Sequence, residues 1–228
     1  MFVKVFMLGR PGSGKSTVAD LIKLFASDRG WSTHYTNDYE LLQRLFLQET
    51  DQCTPRKGRK FRPAGPKGCN GFDVTELFVL DTVLEKMRME VEEVESESSE
   101  EDNILCLIEF ARANYRDALR LFGRDLLRGA YLLFLDVDME CCIGRNHWRN
   151  DHFISDEIMN TYYSEDDWSY LSLYLQQSCG ISVNTWEIKN TGSFQDLAQN
   201  VERLVNTQLC YSREDPLLSQ TPHALALV

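Results

Sequence analysis

Near the start of the chain stands Val3-Lys4-Val5-Phe6-Met7-Leu8-Gly9-Arg10-Pro11-Gly12-Ser13-Gly14-Lys15-Ser16-Thr17, a short apolar run that breaks at a glycine and passes into Gly-x-x-x-x-Gly-Lys-Ser. The run Val3–Leu8 has the length and composition of a buried strand. After Thr17, Val18, Leu21, Ile22 and Phe25 recur at helical spacing, and Gly30 lies beyond as a stop signal. Strand, glycine loop and helix in that order form a cradle for phosphates. Glycines let the backbone wrap so that successive N–H groups converge on an anion, and the helix adds its positive end. The fit to the phosphate-loop pattern is complete over Gly9–Thr17. It predicts a nucleoside-triphosphate site lined by Gly9, Arg10, Pro11, Gly12, Ser13, Gly14, Lys15, Ser16 and Thr17. Lys15 would bridge the outer phosphate oxygens, and the Ser16 hydroxyl would ligate Mg²⁺.

Outward from this loop, strand and helix signals alternate. Trp31–Thr36, Asn103–Phe110, Ala130–Asp136 and Ser182–Ile188 read as further strands. Helices are expected after Asn37 or Asp38, over Tyr115–Leu127, from about Met139 to Trp148, in two segments over Ile158–Leu175, and over Phe194–Leu209. Asp73-Val-Thr-Glu76 has capping-box spacing ahead of a long helix whose buried stripe would be Leu77, Leu80, Leu84, Met87 and Val91. The expected fold class is α/β: a five-stranded parallel sheet with helices on both faces and a helical lid, its ligands at the carboxyl ends of the strands. We expect one domain over 1–210, interrupted by a basic stretch at 53–70 and an acidic run at 90–102. The lid would lie at about 143–168, and 211–228 would form a flexible C-terminal tail.

Composition bounds the function. The formal net charge is −11, but Glu90–Asp102 alone holds eight acids and no base, so the remainder sits near −3. That run reads as a solvated helix end followed by a disordered loop. Arg56–Gly68, by contrast, holds six bases and no acid, within a Pro- and Gly-rich stretch expected to be a mobile loop. This loop is suited either to touch a phosphorylated substrate or simply to be solvated. Only Phe61 within it is available for stacking, and the chain is acidic overall, which argues against a nucleic-acid partner. No apolar stretch approaches the ~20 residues of a membrane span, and the N-terminus lacks a cleavage-site pattern. Seven cysteines at irregular spacing point to reduced thiols and a cytoplasmic address.

The loop, together with two later stretches, resembles the small P-loop kinases: nucleoside-monophosphate kinases, zeta-toxin-like sugar-nucleotide kinases and related phosphotransferases. Phe134-Leu-Asp-Val-Asp138 followed by Cys142-Ile-Gly-Arg145-Asn-His-Trp-Arg149 is similar to the family's fourth strand and the start of its lid. Ile188-Lys-Asn190-Thr-Gly192-Ser193 is similar to the loop that packs beside adenine there, which implies that Asn190 borders the nucleotide. The stretch 51–102 follows no member closely. The resemblance implies ATP as phosphoryl donor, Mg²⁺ as cofactor, and a small molecule or nucleotide as acceptor.

It also implies roles, each with an alternative. Arg145 and Arg149, four apart and so on one helix face, would clamp the transferred phosphoryl group. Alternatively they form a solvated face with Arg149 paired to Asp151. Asp38, where the second strand meets its helix, would be the base that takes the acceptor's proton, or else an ordinary helix cap. Glu109 ends an apolar strand at the ligand edge. A carboxylate so placed is costly unless paired, and the resemblance assigns it to Mg²⁺ through water. Arg112 would bind an anionic acceptor, or form a salt bridge with Glu109. Asp73 and Asp81 are expected to be capping or solvated. Trp148, Trp168, Tyr162, Tyr163 and Tyr170 are expected to pack a helix pair on the lid side. Cys141, Cys142, His147 and His152 do not have zinc-site spacing.

Two other functions remain open at the level of sequence. One is a stand-alone regulatory ATPase or nucleotide-dependent binding module; the other is a kinase-like chain that holds nucleotide without turnover. A GTPase is disfavoured, because neither Asn-Lys-x-Asp nor a strand followed by Asp-x-x-Gly occurs.

Overall fold

Seven strands and nine helices are present among the residues described by the computed structural model, which are 1–51, 58–66, 70–99, 101–149 and 152–210. In chain order they are β1 (Phe2–Leu8), α1 (Lys15–Ser27), β2 (Ser32–Asn37), α2 (Asp38–Asp51), β3 (Phe61–Ala64), β4 (Gly71–Val74) and α3 (Phe78–Glu97). Then come β5 (Ile104–Glu109), α4 (Tyr115–Arg120), α5 (Gly123–Leu127), β6 (Tyr131–Asp136), α6 (Met139–His147), α7 (Asp156–Thr161), α8 (Trp168–Cys179), β7 (Asn184–Lys189) and α9 (Phe194–Leu204). A π-helical turn, Val205–Leu209, extends α9.

Five strands form a parallel sheet in the order β2-β5-β1-β6-β7. Its central strands are buried on both faces, which is why they read as unbroken apolar runs. Along β1, Val5 and Met7 face a layer with Val18, Ile22, Leu197 and Val201. Phe6 and Leu8 face the opposite layer, with Val83, Leu84, Met87 and Phe122. The sheet order reverses around β1, so a crevice opens at the carboxyl ends of β1, β5 and β6, where the phosphate loop lies. The expected fold class is therefore the observed one.

Several local expectations are corrected. The basic stretch is not simply a loop: β3 and β4 pair antiparallel, with Phe61 opposite Val74 and Arg62 opposite Asp73. Phe61 and Phe72 are buried against Phe46, so three aromatic rings hold the hairpin to α2. Asp73 is no helix cap. It lies on β4, is buried, and takes bonds from Arg62 Nη2 (2.9 Å) and the Ser155 amide (2.9 Å). Helix α3 starts later, at Phe78, and leaves Leu77 exposed rather than in the stripe.

At its other end α3 runs on into the acidic run as far as Glu97, and two of the acids serve the sheet. Glu90 accepts from Thr36 Oγ1 (2.9 Å), and Glu95 accepts from Lys4 Nζ (2.8 Å). The single helix expected over Tyr115–Leu127 is two, broken where Gly123 takes φ 75°. Trp148 and Tyr170 are exposed, not packed, whereas Trp168 stacks on Phe134 with centroids 4.7 Å apart. The expected tail at 211–228, Asp151, Glu100 of the acidic run, and parts of the basic stretch (53–57 and 67–69) lie outside the described residues.

Candidate functional site

The loop between β1 and α1 closes tightly on its surroundings. Gly12 and Gly14 have φ of 84° and 96°, which disfavours any side chain there. A Cβ on Gly12 would strike the Cys142 carbonyl, and one on Gly14 the Asn190 amide nitrogen. The loop is pinned from three directions. The Gly9 amide donates to the Tyr115 hydroxyl (3.0 Å). Arg10 reaches outward, donating from Nε to the Tyr163 carbonyl (2.9 Å) and pairing with Asp166 (2.9 Å). Asn190, buried after β7, donates to the Ser13 carbonyl (2.8 Å).

Lys15 is buried and folded back over the loop, donating to the carbonyls of Gly9 (2.8 Å) and Arg10 (3.1 Å). Burial lowers its pKa from the usual 10.5, against the opposing pull of Glu109 and Asp38. The Ser13 hydroxyl is enclosed without a partner. Thr17 is exposed on the first turn of α1, and Pro11 borders the neighbouring cavity.

Ser16 and Glu109, the two residues expected at the metal, come together. The Ser16 hydroxyl donates to Glu109 Oε1 (3.1 Å), and the Tyr35 hydroxyl donates to Glu109 Oε2 (2.6 Å). The Tyr35 pKa is pushed up, first by burial and then by the Glu109 charge, so this phenol stays a donor. Glu109 reaches this position because β5 pairs with both β1 and β2, setting it level with Met7 and Asn37. A hydroxyl and a carboxylate are hard oxygen donors of the kind Mg²⁺ takes, with phosphates and water completing its shell. The residues fit the ion.

Asp38 opens α2 at the carboxyl end of β2, buried beside the same space. Its Oδ2 accepts from the Ala111 amide (3.1 Å) and from Arg112 Nη1 (2.9 Å). Arg112, expected to meet either an anionic acceptor or Glu109, instead pairs with Asp38 and also donates to the carbonyls of Ala111 and Leu80. It does not border the cavity.

Arg145 and Arg149 do not share a helix face, because α6 stops at His147. Arg145 Nη2 donates to the Asn190 carbonyl (2.7 Å), and Nη1 approaches the carbonyls of Gly12 (3.5 Å) and Ser13 (3.4 Å). Arg149 lies beyond the helix and lines the cavity. His147 pairs with Asp156 (2.7 Å). Burial raises the Cys142 thiol, so it is no ready nucleophile.

The cavity, about 320 Å³, begins at Lys15 and Ser16 and extends past Asp38 and Glu109 to Phe72, Leu80 and Ile158. Sequence reasoning missed Tyr115, Tyr35, the Arg10–Asp166 pair and the whole apolar wall. Their partners are remote in sequence, and no local pattern marks them.

No protein-family model matches the chain, and no curated protein matches it in sequence. In structure it is similar to a sugar kinase from Janibacter sp. HTCC2649, with TM-score 0.52 and 15% identity, covering 88% of this chain and 92% of that one. It is also similar to the APS kinase of Mycobacterium tuberculosis in complex with AMPPNP and APS, with TM-score 0.50 and 16% identity, covering 89% and 96%. The chain thus has the fold of the small P-loop kinases.

Proposed function

We propose that this chain is a Mg²⁺-dependent phosphotransferase that moves the γ-phosphoryl group of ATP to a small-molecule or nucleotide acceptor. The observation that carries the reading is the convergence on one cavity of Lys15, the Ser16–Glu109 contact and Asp38. A loop that only held nucleotide would have no use for a cavity that continues past Lys15 and Ser16 and is bordered by a second carboxylate, Asp38.

In this reading the loop amides and the N-terminus of α1 receive the phosphates. Lys15 leaves the Gly9 and Arg10 carbonyls for the outer phosphate oxygens. Mg²⁺, when bound, neutralises phosphate charge; Ser16 and Glu109 are the residues that would hold it. Asn190 and Arg145, tied to each other and to the loop, border the nucleotide. Asp38, held by Arg112 and the Ala111 amide, takes the acceptor's proton. Arg149 stabilises charge on the group in transit. Segment 143–168, which carries Arg145 and Arg149, serves as a lid that excludes water so that the acceptor is phosphorylated in its place.

The five described cysteines are free thiols, in keeping with a cytoplasmic address. Among the described residues no helix is long and apolar enough to cross a membrane. The test is ATP consumption by wild type and Lys15→Ala, alone and with pooled nucleotides, sugar nucleotides and small metabolites. Acceptor-stimulated turnover supports the reading. Slow turnover that no pool raises would favour a nucleotide-dependent binding module.

A further inference from the structure

Glu109 is buried, and a carboxylate taken out of water needs donors. It has one hydroxyl on each oxygen: Ser16 on Oε1 (3.1 Å) and Tyr35 on Oε2 (2.6 Å). The two donors differ in kind. Ser16 belongs to the phosphate loop and stands where a metal is expected, whereas Tyr35 comes from β2 and belongs to no motif. That the site receives Mg²⁺ rests on the phosphotransfer reading.

Sheet register places Tyr35. Strands β2 and β5 run parallel, with Tyr35 opposite Leu107 and Asn37 opposite Glu109. Residues two apart on a strand share a face. Tyr35, Leu107 and Glu109 therefore lie on one side of the sheet, the side whose core layer includes Val18, Ala19 and Ile22 of α1. Glu109 is two residues farther along than Leu107, roughly 6.6 Å. A tyrosine is long enough to span that step, and a serine or threonine is not. The ring is held from above by Lys23 of α1, whose Nζ lies 3.9 Å from the centroid and pairs with Asp20 (3.1 Å). The hydroxyl thus reaches Glu109 from a ring that α1 and the sheet already fix.

A serine that ligates a cation does so through an oxygen lone pair and must turn its proton elsewhere. Glu109 Oε1 accepts that hydrogen bond, which leaves the Ser16 lone pairs free for the ion. The terminal torsion of a glutamate is broad, so the bond to Ser16 alone would not hold Oε1 in place. A second bond, on the other oxygen, fixes the carboxylate plane.

We propose that Tyr35 is a positioning residue of the metal site: by anchoring Oε2 it aims Oε1 at Ser16 and so sets the direction of the Ser16 hydroxyl. In this role it acts only through Glu109.

The test reads metal binding without turnover. The full chain is melted with a fixed concentration of a non-hydrolysable ATP analogue while Mg²⁺ is titrated. The reading taken is the Mg²⁺ concentration that gives half of the added stabilisation. Tyr35→Phe keeps the ring and removes the hydroxyl. We expect that concentration to rise by about 10-fold or more, as when the hydrogen-bond partner of a metal ligand is lost. Affinity for the analogue in EDTA should be unchanged, which also reports an intact fold. A lower melting temperature with an unchanged Mg²⁺ midpoint would make Tyr35 a cap on a buried acid and nothing more; it overturns the inference and leaves phosphotransfer standing. A wild type whose analogue binding ignores Mg²⁺ contradicts the metal-dependent reading itself, and this inference with it. As a second measurement, the exchange is repeated in a Glu109→Ala background. With no carboxylate to anchor, Tyr35→Phe should leave the Mg²⁺ midpoint where Glu109→Ala alone puts it. A further rise there would mean that Tyr35 acts on the ion by another route, and contradicts the assignment.

Discussion

The Ser16 hydroxyl donates to the Glu109 carboxylate across 3.1 Å, although 93 residues separate them. The first helix after the phosphate loop supplies one partner and the end of β5 the other. Parallel pairing of β1 with β5 makes the meeting a consequence of sheet register, with Met7 opposite Glu109. Glu109→Gln keeps the shape and removes the charge. We expect the Mg²⁺ concentration for half-maximal ATP turnover to rise by about 10–100-fold, as when an outer partner of a metal is lost. A Mg²⁺ titration of ADP release checks this.

Asp38→Asn should lower kcat by about 10²–10⁴, the usual contribution of a positioned base, with little change in the KM for ATP. Because Asp38 is paired with the buried Arg112 at 2.9 Å, the substitution also lowers stability. Removing one partner of such a pair costs on the order of 3–5 kcal/mol. Rates are therefore compared below the unfolding midpoints of both proteins. A kcat within threefold of wild type would remove Asp38 from the chemistry.

Tyr115→Phe deletes the acceptor of the Gly9 amide while keeping the ring that packs on Phe134 with centroids 6.0 Å apart. A buried donor left without a partner costs about 1–3 kcal/mol. Urea unfolding should show that loss, and ATP should bind more weakly because the first amide of the loop is no longer held.

These residues show which parts of the molecule could be read from sequence. The phosphate loop and the five sheet strands are local statements: apolar runs of strand length and glycines at fixed spacing. The β3–β4 hairpin escaped because Pro63 and flanking glycines mask so short a pair of strands. What specifies it is the packing of Phe61 and Phe72 on Phe46, a tertiary fact. Asp73 mimicked a helix cap by spacing alone, yet it folds inward to meet Arg62 and the Ser155 amide. Arg112 sits three residues after Glu109, and proximity in sequence suggested a pair with it. The strand ends at Glu109, and the chain turns Arg112 toward Asp38 on the neighbouring element. Tyr115, Tyr35 and Asp166 carry no motif at all.

Lys15 leaves a signature in stability against pH. Its pKa in the fold is lowered by burial from 10.5, so between the lowered value and 10.5 the unfolded chain holds a proton that the native chain has shed. Stability of the nucleotide-free protein should rise with pH across that window. Lys15→Met removes the buried charge, so its unfolding midpoint should exceed that of wild type at neutral pH, and the gap should narrow as pH approaches 10.5. Parallel thermal melts of the two proteins over that range check the sign.

ATP consumption by wild type and Lys15→Ala, with Mg²⁺ and pooled acceptors, tests the central claim most directly. The account predicts that one pool raises wild-type turnover at least tenfold, and that Lys15→Ala lowers the stimulated rate by about 10²–10³, the range for loss of one charge-stabilising donor. Turnover that no pool raises, or that survives Lys15→Ala unchanged, would contradict it.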